Sequence, residues 1–109
     1  MKYEEICERA MEIIASAGTS KSLLFEAIEF AKNGDIKKAK DLFLEAEKHL
    51  IKAHDYQTNL IILETSEEKS LELNLIMVHA QDHLTMASII KDSAIYFMDL
   101  YEKLNKIGR

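Results

Sequence analysis

The sequence predicts an all-α protein, an antiparallel three-helix bundle built by one domain over residues 1–109. Three observations predict it. The chain has no proline and only three glycines in 109 residues, so the two strongest helix breakers are nearly absent. Apolar residues recur at steps of three and four through three long segments, the spacing of one helix face. Only two places read as connections, Asn33-Gly34 and the polar run Glu64–Leu71.

The first helix is expected from Tyr3 to Lys32, with a stripe of Ile6, Ala10, Ile13, Ala17, Leu24, Ala27, Ile28 and Ala31. Gly18-Thr19-Ser20 sits in its middle, where a local kink or tightening is expected. Gly18 either admits close approach of another chain or ligand, or is a tolerated glycine costing about 1 kcal/mol. Gly34 suits the left-handed conformation that closes a helix, and Asp35 is the residue type that caps the next one. A connection this short makes the first two helices antiparallel neighbours.

The second helix is expected from Ile36 to about Leu63, burying Ile36, Ala39, Leu42/Phe43, Ala46, Leu50, Ala53, Gln57 and Leu60/Ile61. Its other face carries Lys37, Lys38, Lys40, Asp41, Glu45, Glu47 and Lys48, a solvated surface with opposite charges three or four apart. His49 belongs to that surface. His54, Gln57 and Thr58 fall at the core edge, either satisfied there or shared with a site on the third helix. The acidic run that follows lacks the glycine and acid spacing of an EF-hand, and Ser70 or a neighbour is expected to cap the third helix.

No proline or glycine occurs between Glu72 and Ile107, so the third helix runs to about Lys106. It carries two apolar seams. One reads Leu75, His79, Asp82, Met86, Ile89, Ser93, Tyr96 and Leu100; the next reads Leu73, Ile76, Ala80, His83, Ala87, Ile90, Ala94, Phe97, Tyr101 and Leu104. A third ridge, including Asn74, Gln81, Thr85, Ser88 and Asp92, is polar. Two seams exceed what a single helix pair needs, so this helix must pack on two sides. A symmetric oligomer is the economical partner for the surplus seam.

His79 and Asp82 stand one turn apart on that first seam, with His83 four residues beyond His79. A carboxylate on a covered stripe is costly unless it is paired, hydrogen-bonded or metal-bound. The bland alternative is a groove edge where both residues reach water.

Composition bounds the rest. Apolar residues make up 48% and charged residues 30%, as in globular chains. Nineteen acids against fourteen bases give a net charge of −5, which argues against nucleic acid as partner and suits a basic protein. Cys7, the single cysteine, excludes an intrachain disulfide and fits a small packing position in a reducing cytoplasm. The N-terminus Met1-Lys2-Tyr3-Glu4-Glu5 lacks the apolar run of a signal peptide, and no stretch is long and uncharged enough to span a membrane. No P-loop, glycine-rich cradle or kinase signature is present, so no nucleotide site is expected.

The segment Met77-Val78-His79-Ala80-Gln81-Asp82-His83-Leu84 resembles the signature of the enzyme IIA component of the lactose/cellobiose family of the bacterial sugar phosphotransferase system. Ala53-His54-Asp55-Tyr56-Gln57-Thr58 resembles that family's Ala-His-x-x-Gln-Thr segment. Ser16-Ala17-Gly18 with Lys21-Ser22-Leu23, and Ala31-Lys32-Asn33-Gly34-Asp35, are similar to its first helix and first turn. The likeness runs through nearly the whole chain in order. One departure is His83-Leu84-Thr85-Met86, where the family commonly reads His-Leu-Met-Thr; Met86 then lies one turn below Asp82. Ala80 leans towards the cellobiose/chitobiose branch.

The resemblance implies a homotrimer, with His79 as the phosphorylated residue and Asp82 holding one divalent cation per trimer, usually Mg²⁺, at its axis. It also implies a relay: the phosphorylated histidine carrier protein loads His79, and His79 loads the IIB component. A membrane IIC component handles the sugar. Candidate support for the phosphoryl group comes from Gln81 and His83, and from His54 and Gln57 of the second helix or a neighbouring subunit. Two other classes compete. A histidine phosphotransfer signalling domain wants lysine and glycine soon after the histidine, where this chain has Gln81, Asp82 and His83. A non-catalytic metal-binding or di-iron bundle wants Glu-x-x-His on two helices, and no such pair occurs.

Overall fold

In a computed structural model, which describes residues 2–66 and 74–108, the chain is three long helices: α1 (Tyr3–Lys32), α2 (Ile36–Ser66) and α3 (Leu75–Ile107). The result is a rod of 62 × 20 × 19 Å. The three-helix bundle expected from the sequence is the observed fold.

The turn after α1 forms as its residues dictate. Gly34 adopts φ 92°, and the amides of Asn33, Gly34 and Asp35 bond back to carbonyls of Glu29, Ala31 and Phe30. Asp35 Oδ1 then accepts from Lys38 N at 3.1 Å, capping α2. α2 continues three residues past the expected Leu63, through Ser66. Thr65 Oγ1 donates back to the Ile61 carbonyl at 2.9 Å, so this polar end stays helical. The cap of α3 is Asn74, whose Oδ1 accepts from Met77 N at 2.9 Å. The Ser70 expectation and Leu73 of the second seam lie outside the described residues.

α1 packs along both other helices, whereas α2 and α3 touch each other far less. Small residues at seven-residue spacing make this close packing possible. Ala10, Ala17, Leu24 and Ala31 of α1, Ala39, Ala46, Ala53 and Leu60 of α2, and Ala80, Ala87 and Ala94 of α3 are all buried. A seven-residue repeat keeps one face of each helix on its neighbour along the whole rod. Ser20, fully buried, donates its hydroxyl to the Ala46 carbonyl at 2.8 Å, so the core keeps no orphaned polar atom there. Near the far end, Asn105 Nδ2 donates to the Ala31 carbonyl at 2.9 Å and closes the last turn of α1.

α1 is α-helical through Gly18, where a Cβ would meet nothing within 4 Å, so no close approach within this chain requires the glycine. One expectation needs correcting. On α3 the buried ridge is Ala80, Leu84, Ala87 and Ala94, and Leu84, at 2% exposure, belonged to neither expected seam. A strict alternation of three and four steps passes from His83 to Ala87 and skips it. Gln81 and Ser88 of the polar ridge are half-buried, because the side they share faces α2.

Candidate functional site

α3 begins at Leu75, so His79 stands in its second turn, exposed at one end of the rod. His83 is one turn further along the same face. The two rings meet edge-on, with centroids 4.5 Å apart, planes at 87° and the two Nε2 atoms 3.1 Å apart. At that distance one nitrogen donates and the other accepts. His83 Nδ1 is buried without a partner among the described residues. Burial, then the neighbouring His79 and Lys21, lower the His83 pKa, while Asp82 pulls it the other way. These causes together disfavour a charge on His83.

Beside His79 lies an open hollow of about 480 Å³, lined by Tyr3 of α1 and by Leu75, Ile76 and His79 of α3. On the next strip of α3, Leu75, Val78, Met86, Ile89, Tyr96, Leu100, Leu104 and Ile107 are exposed apolar residues along the whole helix. Asp82 is exposed in the middle of that strip. The surplus seam is thus uncovered in a single chain, and its one carboxylate reaches water there.

The remaining candidates face α2 instead. Gln57 Nε2 donates to Gln81 Oε1, and Gln81 Nε2 in turn points at Met77 Sδ at 3.5 Å. His54 Nε2 meets Ser88 Oγ at 3.2 Å, and Lys91 pairs with Glu47 at 3.4 Å. Within one chain, then, His79 and His83 are together, whereas Gln81, Gln57 and His54 bridge α2 to α3 on another side. Among the described residues no three metal-ligating side chains come together.

Residues 8–102 match the family described as the lactose/cellobiose-specific IIA subunit of the phosphotransferase system. The chain belongs to that family. It is a IIA component, one part of the multi-protein phosphotransferase that takes up sugars. It is 44% identical over 103 residues to the lichenan-specific phosphotransferase enzyme IIA component of Bacillus subtilis (strain 168), covering 94% of this chain and 93% of that one. The structure of the cellobiose-specific enzyme IIA from Bacillus anthracis superposes with a TM-score of 0.88 at 36% identity, over 97% of this chain and 94% of that chain. A chain from the solution structures of the IIA(Chitobiose)-HPr complex gives 0.79 at 30% identity, over 96% and 98%.

Sequence reasoning placed the His79–His83 pair of this IIA component through its four-residue spacing. It missed Tyr3, which reaches the site only through packing of α1 against α3. It also gave no role to Lys21, whose charge acts on His83.

Proposed function

We propose that His79 accepts a phosphoryl group from the phosphorylated histidine carrier protein and passes it to the cysteine of a IIB component. That relay serves uptake of a cellobiose/chitobiose- or lactose-type disaccharide through a membrane IIC component. The observation that carries the reading is the exposed imidazole of His79, its Nε2 held 3.1 Å from a second, half-buried imidazole. The likeness to a chain solved in complex with HPr supports the carrier protein as donor.

The chemistry follows from the pair. A proton on His83 Nδ1 would be a buried donor with no acceptor, so the favoured arrangement puts it on Nε2, donating to His79. His79 then holds its own proton on Nδ1 and presents the lone pair of Nε2. That lone pair attacks phosphorus as the N–P bond of the carrier breaks. The carrier ring, protonated on its distal nitrogen, leaves as neutral imidazole, and His79 keeps its Nδ1 proton, so charge is conserved. His83 N–H is freed to donate to a phosphoryl oxygen. In the second half, a thiolate of IIB attacks phosphorus, an S–P bond replaces the N–P bond, and His79 leaves neutral.

Transfer between such groups needs alignment and donors for the oxygens more than new chemistry. Side chains on a helix lean towards its N-terminus, so a phosphoryl group on His79 lies towards the positive end of α3. Further candidate donors are Gln81 and, from α2 or a neighbouring copy, Gln57 and His54; within one chain all three take part in contacts between α2 and α3.

The uncovered strip of α3 is the surface on which three copies meet. Its exposed carboxylate, Asp82, is the residue that would hold a hard divalent cation such as Mg²⁺. Such an ion would offset the repulsion between like carboxylates. No described helix is long and apolar enough to cross a membrane, which suits action on the cytoplasmic side beside IIC.

The test is incubation with phosphoenolpyruvate, enzyme I and the carrier protein, followed by mapping of acid-labile phosphate. Label is expected on His79 alone and absent from His79→Gln. Label on His83, or on any other residue, refutes the assignment.

A further inference from the structure

Two lysines are half-buried among the described residues, Lys21 of α1 and Lys91 of α3, and they differ in one respect. Lys91 is matched by Glu47 at 3.4 Å. Lys21 has no ion pair or hydrogen bond among the described residues. One turn away on its own helix stand Ala17, Gly18, Leu24 and Phe25, none of them an acid. A cation drawn partly out of water without a counter-charge is costly, and the relay chemistry so far gives it no task.

Helical phase places Lys21 in the groove that holds the histidines. On α1, Cys7, Ile14, Lys21 and Ile28 recur every seven residues and are all half-buried, on the flank that begins with Tyr3. On α3, Ile76, His83 and Ile90 do the same. The two helices run side by side in one direction. Tyr3 meets the start of α3 at the hollow beside His79, and Asn105 near the end of α3 bonds to the Ala31 carbonyl near the end of α1. Each stripe is apolar but for one residue, Lys21 on one and His83 on the other. Side chains lean towards the N-terminus of their helix, here the histidine end, and the charge of Lys21 acts on the His83 ring. Arg9, half-buried as well, lies on another flank of α1 with Ile13, Ser16 and Ser20, whose hydroxyl reaches α2.

We infer that Lys21 is a further phosphoryl-binding residue: its ammonium moves up this groove to the oxygens of the group on His79 and is the counter-charge of the loaded form. The inference rests on the assignment of His79. Loading adds roughly −1.5 to −2 charges, in a chain whose net charge is already −5. His79 Nε2 stands 3.1 Å from His83 Nε2, so a phosphoryl group on it lies against the ring on which Lys21 already acts. A lysine without a partner breaks no ion pair to make that move, whereas Lys91 is held by Glu47. Lys21 stays an ammonium throughout. Hydrogen bonds to water are exchanged for hydrogen bonds to phosphoryl oxygens, and no proton is transferred. Only the loaded form gains, so Lys21 raises the share of phosphoryl groups that this chain holds at equilibrium with its donor.

The test mixes the full chain with phosphorylated histidine carrier protein, free of enzyme I, and reads the ratio of loaded to empty forms of both proteins at equilibrium. Lys21→Met is expected to shift that ratio about tenfold towards the carrier, the scale of one charge-assisted hydrogen bond. Lys21→Arg keeps the charge and is expected to stay within about threefold of the parent chain. Lys91→Met is expected to leave the ratio unchanged while lowering thermal stability, because it strands Glu47. Binding of the unphosphorylated carrier is expected to be equal in all four chains. Loading of the parent chain is expected to slow acylation of Lys21 by a soluble reagent.

A ratio in Lys21→Met within about twofold of the parent overturns the inference. An equal shift in Lys21→Arg overturns it as well, since the effect then belongs to packing rather than charge. A Lys21→Met chain with altered sedimentation assigns the ammonium to a carboxylate of a second copy, and that too overturns it. Full label on His79 with an unmoved ratio defeats the role of Lys21 alone, whereas a parent chain that takes no label defeats the relay and this role with it.

Discussion

The inner and outer faces of α3 have similar apolar content and opposite fates. Inside, Ala80, Leu84, Ala87 and Ala94 are buried against α1 and α2. Outside, Leu75, Met86, Ile89, Tyr96 and Leu100 are exposed, with Asp82 among them. The difference lies in size. Small residues inside let helices of one chain approach closely, and large ones outside are suited to a surface that meets another chain at greater spacing. One face completes the fold, and the other is left uncovered in the single chain, with Asp82 among its apolar residues.

The comparison breaks most sharply at Ile89. Ile89→Glu puts a charge in each copy on the outer strip, where desolvating it costs several kcal/mol if the strip is covered. Sedimentation is expected to show dissociated chains at micromolar concentration, with helical content retained. An unchanged sedimentation coefficient removes the assembly role of that face. Leu84→Ala, the matching change inside, is expected to lower stability by about 2–5 kcal/mol in denaturant unfolding. A loss below about 1 kcal/mol means that the inner face does not depend on its one large residue.

Asp82→Asn sharpens the outer side further. Sedimentation of the parent chain is expected to respond to chelator, and that of the variant is not, because the repelling carboxylates are gone. Equal responses would dissociate the cation from Asp82.

His83 sits at the border between the two faces and predicts a pH dependence. Its folded pKa lies below the ordinary 6.5, chiefly through burial, so the unfolded chain binds the extra proton first as pH falls. The stability linked to neutral His83 is therefore complete above 6.5 and is lost as pH drops towards the lower folded value. His83→Asn is expected to flatten that part of the stability profile. A dianionic phosphoryl group on His79 reverses the shift, and nitrogen chemical shifts of the His83 ring are expected to report a raised pKa after loading. The smallest effect is expected at Asn105→Ala, about 1 kcal/mol, from loss of the bond to the Ala31 carbonyl.

Much of this architecture was legible because local signals agreed. The limits of α1 follow from Asn33-Gly34-Asp35, where turn glycine and cap residue stand together. Near the start of α3 several polar residues compete as caps, so Asn74 was not singled out by residue type. The i, i+4 spacing brought His79 and His83 together without any tertiary knowledge. The Gln57–Gln81 and His54–Ser88 bridges depend on the relative rotation of α2 and α3, which no period in one helix encodes. Tyr3 at the hollow is invisible for the same reason: its partners lie more than seventy positions away in the chain.

Because α1 alone lies along both neighbours, it behaves as the keel of the rod. A change on α2 that loosens the Glu47–Lys91 pair or the glutamine bridge leaves α3 seated on α1, and the histidines keep their mutual geometry. A change at Ala10 or Ala17 tilts two helices at once. Variation is therefore cheap where α2 faces α3 and costly along α1, although α1 carries neither histidine.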